Sequence, residues 1–248
     1  MADTRAPEPA AAAPKNLITR VFGVFLAPRA TYADVAARPR WFGALAVGIV
    51  VISAMSVGFF STEVGKGALL EQQLRAMDAL KAYGLNVPPE ARQRMEEGLA
   101  SPWVPYRTAA TQVVFIPIVV VILAGILKGI FAVLGGDATF KHVLSIVAHS
   151  GLITAGQQLF VMPLNYVRES LTSPTNLGVF LPFLDENTFA ARLLGSIDLF
   201  LIWWMVNLAI GLGVLYKRRT GPIAAGMLTT YFVIVLVIAA IRTALAGA

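Results

Sequence analysis

The chain has 248 residues, of which 57% are hydrophobic and only 14% charged, with a formal net charge of +6. A soluble domain carries charge on about 25% of its residues, so water is excluded as the main solvent of this fold. Nucleic acid and disulfide chemistry are excluded as well: Lys and Arg lie between apolar blocks rather than among stacking aromatics, and there is no cysteine.

Residues 1–15 are rich in Ala and Pro and read as a disordered cytoplasmic tail. No apolar core followed by a small-residue cleavage site precedes residue 40, so no signal peptide is expected. Residues 16–40 form a second unit. Leu17, Ile18, Val21, Phe22 and Phe25 recur on one helical face, with Arg20 and Lys15 placed to meet lipid headgroups along the inner interface. On an equal footing, the same apolar residues can pack under a helical bundle. Pro28 closes this helix and opens another toward Pro39.

From residue 41 to 248, apolar blocks of the ~20 residues that a bilayer-crossing helix requires fall at 41–60, 108–134, 142–164, 193–216 and 222–246. The fold class is therefore all-α: a polytopic membrane bundle of about five transmembrane helices, preceded by an interfacial amphipathic helix. Trp41 anchors the first span at its edge, and Pro117 with Gly125 is expected to bend the second. Between them, in 61–107, Leu70, Leu74, Met77 and Leu80 recur at helical spacing and Gly84 supplies a stop. Pro88-Pro89-Glu90 then opens a short helix, which predicts an extracytoplasmic helical hairpin. Pro174 and Pro182 predict irregular chain over 165–192. The small-residue spacings Gly125 to Gly129 and Ala54 to Gly58 suit packing within the chain.

Basic residues set orientation. With the amino terminus inside, the cytoplasmic segments hold Arg5, Lys15, Arg20, Arg29, Arg38, Arg40, Lys128, Lys141 and the run Lys217-Arg218-Arg219. Only Asp3, Glu8, Asp34 and Asp137 oppose them, whereas the outer segments balance acid and base. The turn from Tyr216 to Pro222 is decisive, because a tight, strongly basic turn is held on the cytoplasmic side. Five crossings then place the carboxyl terminus outside. Arg20, Arg29, Lys217, Arg218 and Arg219 are the candidate contacts for anionic lipid or a cytoplasmic partner.

Ionisable groups inside a bilayer cost about 2.5–3.5 kcal/mol on insertion scales, so each must find a partner, water or the interface. Counting ~1.5 Å per residue from the span ends places Lys128, His149 and Asn207 in an inner layer. Asp198 falls in an outer one, within reach of Gln157 or Gln158. Two isolated layers favour interhelical hydrogen bonds that fix the bundle over a continuous proton or ion path. A path through Lys128, His149 and Asp198 would make the chain a small-solute or ion transporter, or a transporter subunit.

Catalytic patterns fail on their partners. Ser150 follows His149 directly, His142 lies eight residues upstream on the same helix, and no histidine follows the serine to act as its base. With two histidines there is no zinc protease motif, no phosphate-binding Gly-rich loop ends in Lys-Ser or Lys-Thr, and Glu96-Glu97 reads as a solvated helix face. Neither enzyme activity, metal nor cofactor is expected.

Three segments carry a family resemblance. Val24-Phe-Leu-Ala-Pro28-Arg-Ala-Thr31-Tyr32 resembles the entry to the first span of the Yip domain family, membrane proteins named for binding Ypt and Rab GTPases. Gly135-Gly-Asp-Ala-Thr-Phe140-Lys is similar to that family's Gly-rich turn before the third span. Ile197-Asp198-Leu-Phe-Leu-Ile-Trp203 with Asn207-Leu-Ala-Ile-Gly211 resembles its fourth-span signature. Ser150-Gly-Leu-Ile departs from the proline-containing turn of many bacterial relatives. The resemblance implies a five-span fold and a role in membrane organisation rather than a reaction. For a bacterial member it implies the cytoplasmic membrane, with lipid, other membrane or cytoplasmic proteins and a second copy of the chain as partners.

Overall fold

The computed structural model describes residues 15–82, 84, 88–185 and 188–246; the expected disordered tail lies outside the described residues except for Lys15. Their regular structure is helical, apart from one isolated antiparallel bridge between Asn176 and Asp198. Among the described residues four helical stretches are long and apolar enough to cross a membrane: α3 (Trp41–Phe60), α6 (Val104–Val133), Phe140–Arg168 and Thr220–Ala244. The third comprises α7 (Phe140–Ser150) and α8 (Leu152–Arg168), joined through Gly151, whose backbone stays in the right-handed helical region. The fourth belongs to α11 (Thr220–Ala246).

The expected span at 193–216 is divided. A short helix α9 (Phe189–Gly195) ends, and α10 (Leu199–Leu215) starts afresh with Asp198 as its N-cap. Asp198 is thus at a helix end and not five residues inside one. The reason is local: its carboxylate accepts from the Phe200 and Leu201 amides at 2.8 and 3.2 Å, groups that a continuous helix would bond to its own backbone. The 17 residues of α10 rise ~25 Å, short of a ~30 Å hydrocarbon core. Even so, α10 is central, packing against α2, α7, α8 and α11.

Burial orders the bundle. Residues 143–150 of α7 are all buried, while most of α6 and α11 faces outward. Gly211 lets α10 approach its neighbours, since a Cβ there would lie 2.5 Å from Ile146 Cγ2 and 3.1 Å from the Tyr32 ring. The small-residue spacings do not serve packing within the chain: Gly58, Gly125 and Gly129 are exposed, and a Cβ on each meets nothing within 4 Å.

Two short helices close one end of the bundle, α1 (Leu17–Leu26) and α2 (Pro28–Ala37). The packing reading of α1 holds for one of its faces, and the opposite face is left exposed. Ile18, Phe22 and Leu26 are exposed, whereas Val24 is fully buried in a cluster with Ala44, Leu152 and Ile153. At the other end α4 (Glu63–Ala82) and α5 (Pro89–Ala100) flank Gly84, which has a φ of 76°. Ala68 of α4 packs on Phe59 and Phe60, with Met162 and Leu171 beside it, fixing α4 to the ends of α3 and α8. The segment expected to be irregular contains a 3-10 turn, Leu177–Phe180, before α9.

Candidate functional site

Three polar assemblies stand out, and the innermost joins α1 and α2 to the spans. Asp34 is its hub: its carboxylate accepts from Arg20 Nε at 2.7 Å and from the Lys15 amide at 3.3 Å, and lies 3.5 Å from Arg38. Arg20 is 3% exposed and also donates to the Arg38 carbonyl at 3.1 Å. It therefore does not reach headgroups, because a guanidinium beside a buried carboxylate is held by the pair. Lys15 Nζ reaches Thr31 Oγ1 at 3.2 Å.

The link to the spans follows from Pro28. Proline has no amide hydrogen, so the Val24 carbonyl, four residues earlier, loses its helical donor. Asn207 of α10 replaces it, donating from Nδ2 at 2.9 Å, while its Oδ1 accepts from the Tyr32 hydroxyl. Tyr32 and Asn207 are both buried. Burial pushes the Tyr32 hydroxyl up from its ordinary value, keeping it a protonated donor. His149 lies at the same level on α7, its Nδ1 2.7 Å from the Ser145 carbonyl and its Nε2 buried without a hydrogen-bond partner among the described residues.

The second assembly surrounds Asp198. Beyond the two capping amides, Oδ1 accepts from Gln157 Nε2 at 3.3 Å, and Oδ2 from Ser173 and Thr175 hydroxyls at 2.6 and 2.7 Å. The Tyr231 hydroxyl accepts from the Asp198 amide at 3.1 Å and donates to the Ser196 carbonyl at 2.9 Å, tying α11 to this corner. Such a satisfied carboxylate is a structural anchor. Asp198→Ala is expected to lower unfolding free energy by about 3 kcal/mol, from the lost cap and the stranded donors, and Asp198→Asn by about 1 kcal/mol. Thermal unfolding in detergent measures both; normal folding of the two variants would remove the structural role.

The third assembly is the basic turn after α10. Lys217 has a φ of 52°, the left-handed region, and the Arg218 amide reaches back to the Gly213 carbonyl at 2.8 Å. This geometry closes a helix carboxyl end and favours glycine. Lys217→Gly is accordingly expected to raise unfolding free energy by about 1 kcal/mol; a drop in the melting point would mean that the lysine side chain holds the corner. Arg218 donates to the Leu134 carbonyl at the end of α6. Arg29, Ala33, Lys217, Arg218, Arg219 and Thr220 line a cleft of about 930 Å³, so α2 and this turn share one face of the bundle. Arg192 of α9 donates to the Arg242 carbonyl near the far end of α11, on the opposite face.

Among the residues singled out in the sequence, the structure brings Gln157 to Asp198, buries His149 and Asn207 together at the level of α1 and α2, and gathers Arg29 with Lys217, Arg218 and Arg219. It separates Lys128, which is exposed on α6, from the inner layer. Sequence reasoning missed Asp34, Tyr32, Ser173, Thr175 and Tyr231 as partners. Pro28 four residues after Val24 was a usable signal, since it announces a carbonyl in need of a donor. Among the described residues no three His, Cys, Asp or Glu side chains are grouped to hold a metal ion.

No curated protein and no solved structure matches the chain. The family model described as the Yip1 domain matches residues 22–241, from within α1 to near the end of α11, and so takes in the Asp198 assembly, the basic turn and, of the first assembly, all but Lys15 and Arg20. With its apolar, spanning-length helices, the chain is an integral membrane protein that belongs to the Yip1 domain family.

Proposed function

We propose that this protein is a non-enzymatic scaffold of a bacterial cytoplasmic membrane, organising the bilayer or holding partner proteins at a cytoplasmic face formed by α1, α2 and the basic turn. In this arrangement α10 crosses the membrane as a fifth span, the amino terminus is cytoplasmic and the carboxyl terminus extracytoplasmic. The observation that carries the proposal is the use of the interior polar groups. Tyr32, Asn207 and the Arg20–Asp34 pair are spent on fixing α1 and α2 to the spans, and Asp198 on starting α10. Between the two levels Leu152, Ile153, Ala155 and Met205 are buried, and Asn207 is ~13 Å along α10 from Asp198. A proton or ion path through the bundle would have to cross that apolar stretch.

The rigid face this creates is basic, with Arg29, Lys217 and Arg219 exposed. Contacts with a cytoplasmic protein would therefore favour acidic surfaces. Reversing Arg29, Lys217 and Arg219 to Glu, followed by cross-linking in native membranes, is expected to remove the cytoplasmic proteins captured by the wild type. An unchanged set of captured proteins would overturn the proposal.

A further inference from the structure

A groove on the outside of the bundle meets the basic turn at one end. Its volume is about 1110 Å³; α10 forms the floor, and the walls are α6, with Leu127 and Ile130, and α11, with Ile223 and Ile234. Lys217, Arg218, Arg219 and Pro222 line both this groove and the cleft that contains Arg29. The principal contacts of α11 are with α10 and α9, which leaves its side toward α6 open. From Pro222 to Ile234 the groove follows α11 for ~18 Å, close to the ~15 Å depth of one bilayer leaflet. The walls belong to the two spans that bury the least of themselves in the protein.

We propose that this groove is a binding site for one anionic phospholipid of the leaflet at the basic turn, with the phosphate between Lys217, Arg219 and Arg29 and an acyl chain lying between α6 and α11. Charge complementarity selects the occupant. An uncharged helix from another protein would fill the apolar part and leave the basic rim unused, whereas a phospholipid carries an anion and a long apolar chain in the right order. Arg218 is committed in part to the Leu134 carbonyl and serves to join the rim to α6. The inference deepens the scaffold reading by naming a ligand of the same face, but lipid retention is measured without any protein partner, so either can fail alone.

The test uses the full-length chain in nanodiscs of phosphatidylglycerol and phosphatidylcholine, followed by native mass spectrometry of the lipids that stay bound on release into detergent. Two variants separate charge from shape. Lys217→Gly with Arg219→Gln removes two cations, and each cation near the surface contributes about fivefold, so retention of phosphatidylglycerol falls about 25-fold. Gly226→Phe fills the groove with the basic turn intact; Gly226 lines the groove and a Cβ there meets nothing within 4 Å, so the fold is expected to accept it. This variant loses the bound phosphatidylglycerol too.

Selective retention of phosphatidylglycerol that both variants lose supports the site. Equal retention of the two lipids overturns it, as does Gly226→Phe holding phosphatidylglycerol like the wild type. Competition by glycerol phosphate as strong as by the whole lipid would overturn it in favour of a soluble phosphate site. A dimer that buries the groove in light scattering, and that Gly226→Phe dissolves, would overturn it in favour of a second copy of the chain.

Discussion

Asn207→Leu is expected to lower the unfolding free energy by about 4 kcal/mol, enough to abolish the folded protein in many membrane preparations. The side chain fits the volume, so packing is not the cause. The loss comes from the two groups Asn207 satisfies, the Val24 carbonyl and the Tyr32 hydroxyl, both on fully buried residues. Each buried polar group left without a partner costs about 1–3 kcal/mol. Tyr32→Phe strands only the Asn207 carbonyl oxygen and is expected to cost about 2 kcal/mol. Pairing it with Asn207→Leu removes the hydroxyl that Asn207→Leu alone strands, so the double variant is less destabilised than the sum of the two. Thermal unfolding of the four proteins in one detergent closes the cycle, and strict additivity would show that Asn207 and Tyr32 do not share a bond.

Arg20→Met is expected to cost about 3–5 kcal/mol, the range for removing one partner of a buried ion pair. Asp34 side-chain exposure is 11%, and after the substitution its remaining neighbours are the Lys15 amide, at 3.3 Å, and the half-exposed Arg38. Replacing both members, Arg20→Met with Asp34→Leu, leaves no uncompensated charge and is expected to recover most of the loss. The readout is again the unfolding midpoint, together with protease sensitivity of α1. If α1 stays protected and the midpoint does not move in Arg20→Met, the pair is not what holds α1 and α2 beneath the spans.

The sequence was informative wherever one physical signal dominated. Hydropathy placed α3 at its observed limits and the other long spans within a few residues, because a hydrocarbon core demands uninterrupted apolar length. It failed at 193–216, where the residues are apolar enough to continue but Asp198 binds two amides and restarts the helix. Counting depth along helices paired Gln157 with Asp198 but did not show that Lys128 faces outward from α6, since rise fixes the level of a residue and not the direction it faces. The small-residue spacings failed likewise: spacing shows that a close approach is allowed, and Gly125 and Gly129 face away from the bundle. For α1 the pattern supported two readings because the helix has two working faces, Phe22 outward and Val24 inward. The partners of Asp198 in 173–175 were out of reach, as nothing local says which loop folds over which helix end.

The proposed scaffold face and the proposed lipid groove depend on one arrangement. In that proposed arrangement α1, α2 and the basic turn would lie together on the cytoplasmic side and α10 would cross, so that the carboxyl terminus would be outside. Having no native cysteine, the chain suits accessibility mapping in intact cells. Single cysteines at Arg29, Arg219, Glu71 and Arg242 would each be challenged with a membrane-impermeant maleimide before and after permeabilisation. The arrangement predicts labelling at positions 71 and 242 in intact cells, and at 29 and 219 only after permeabilisation. Labelling of 219 and 242 from the same side, or of 29 in intact cells, would contradict it.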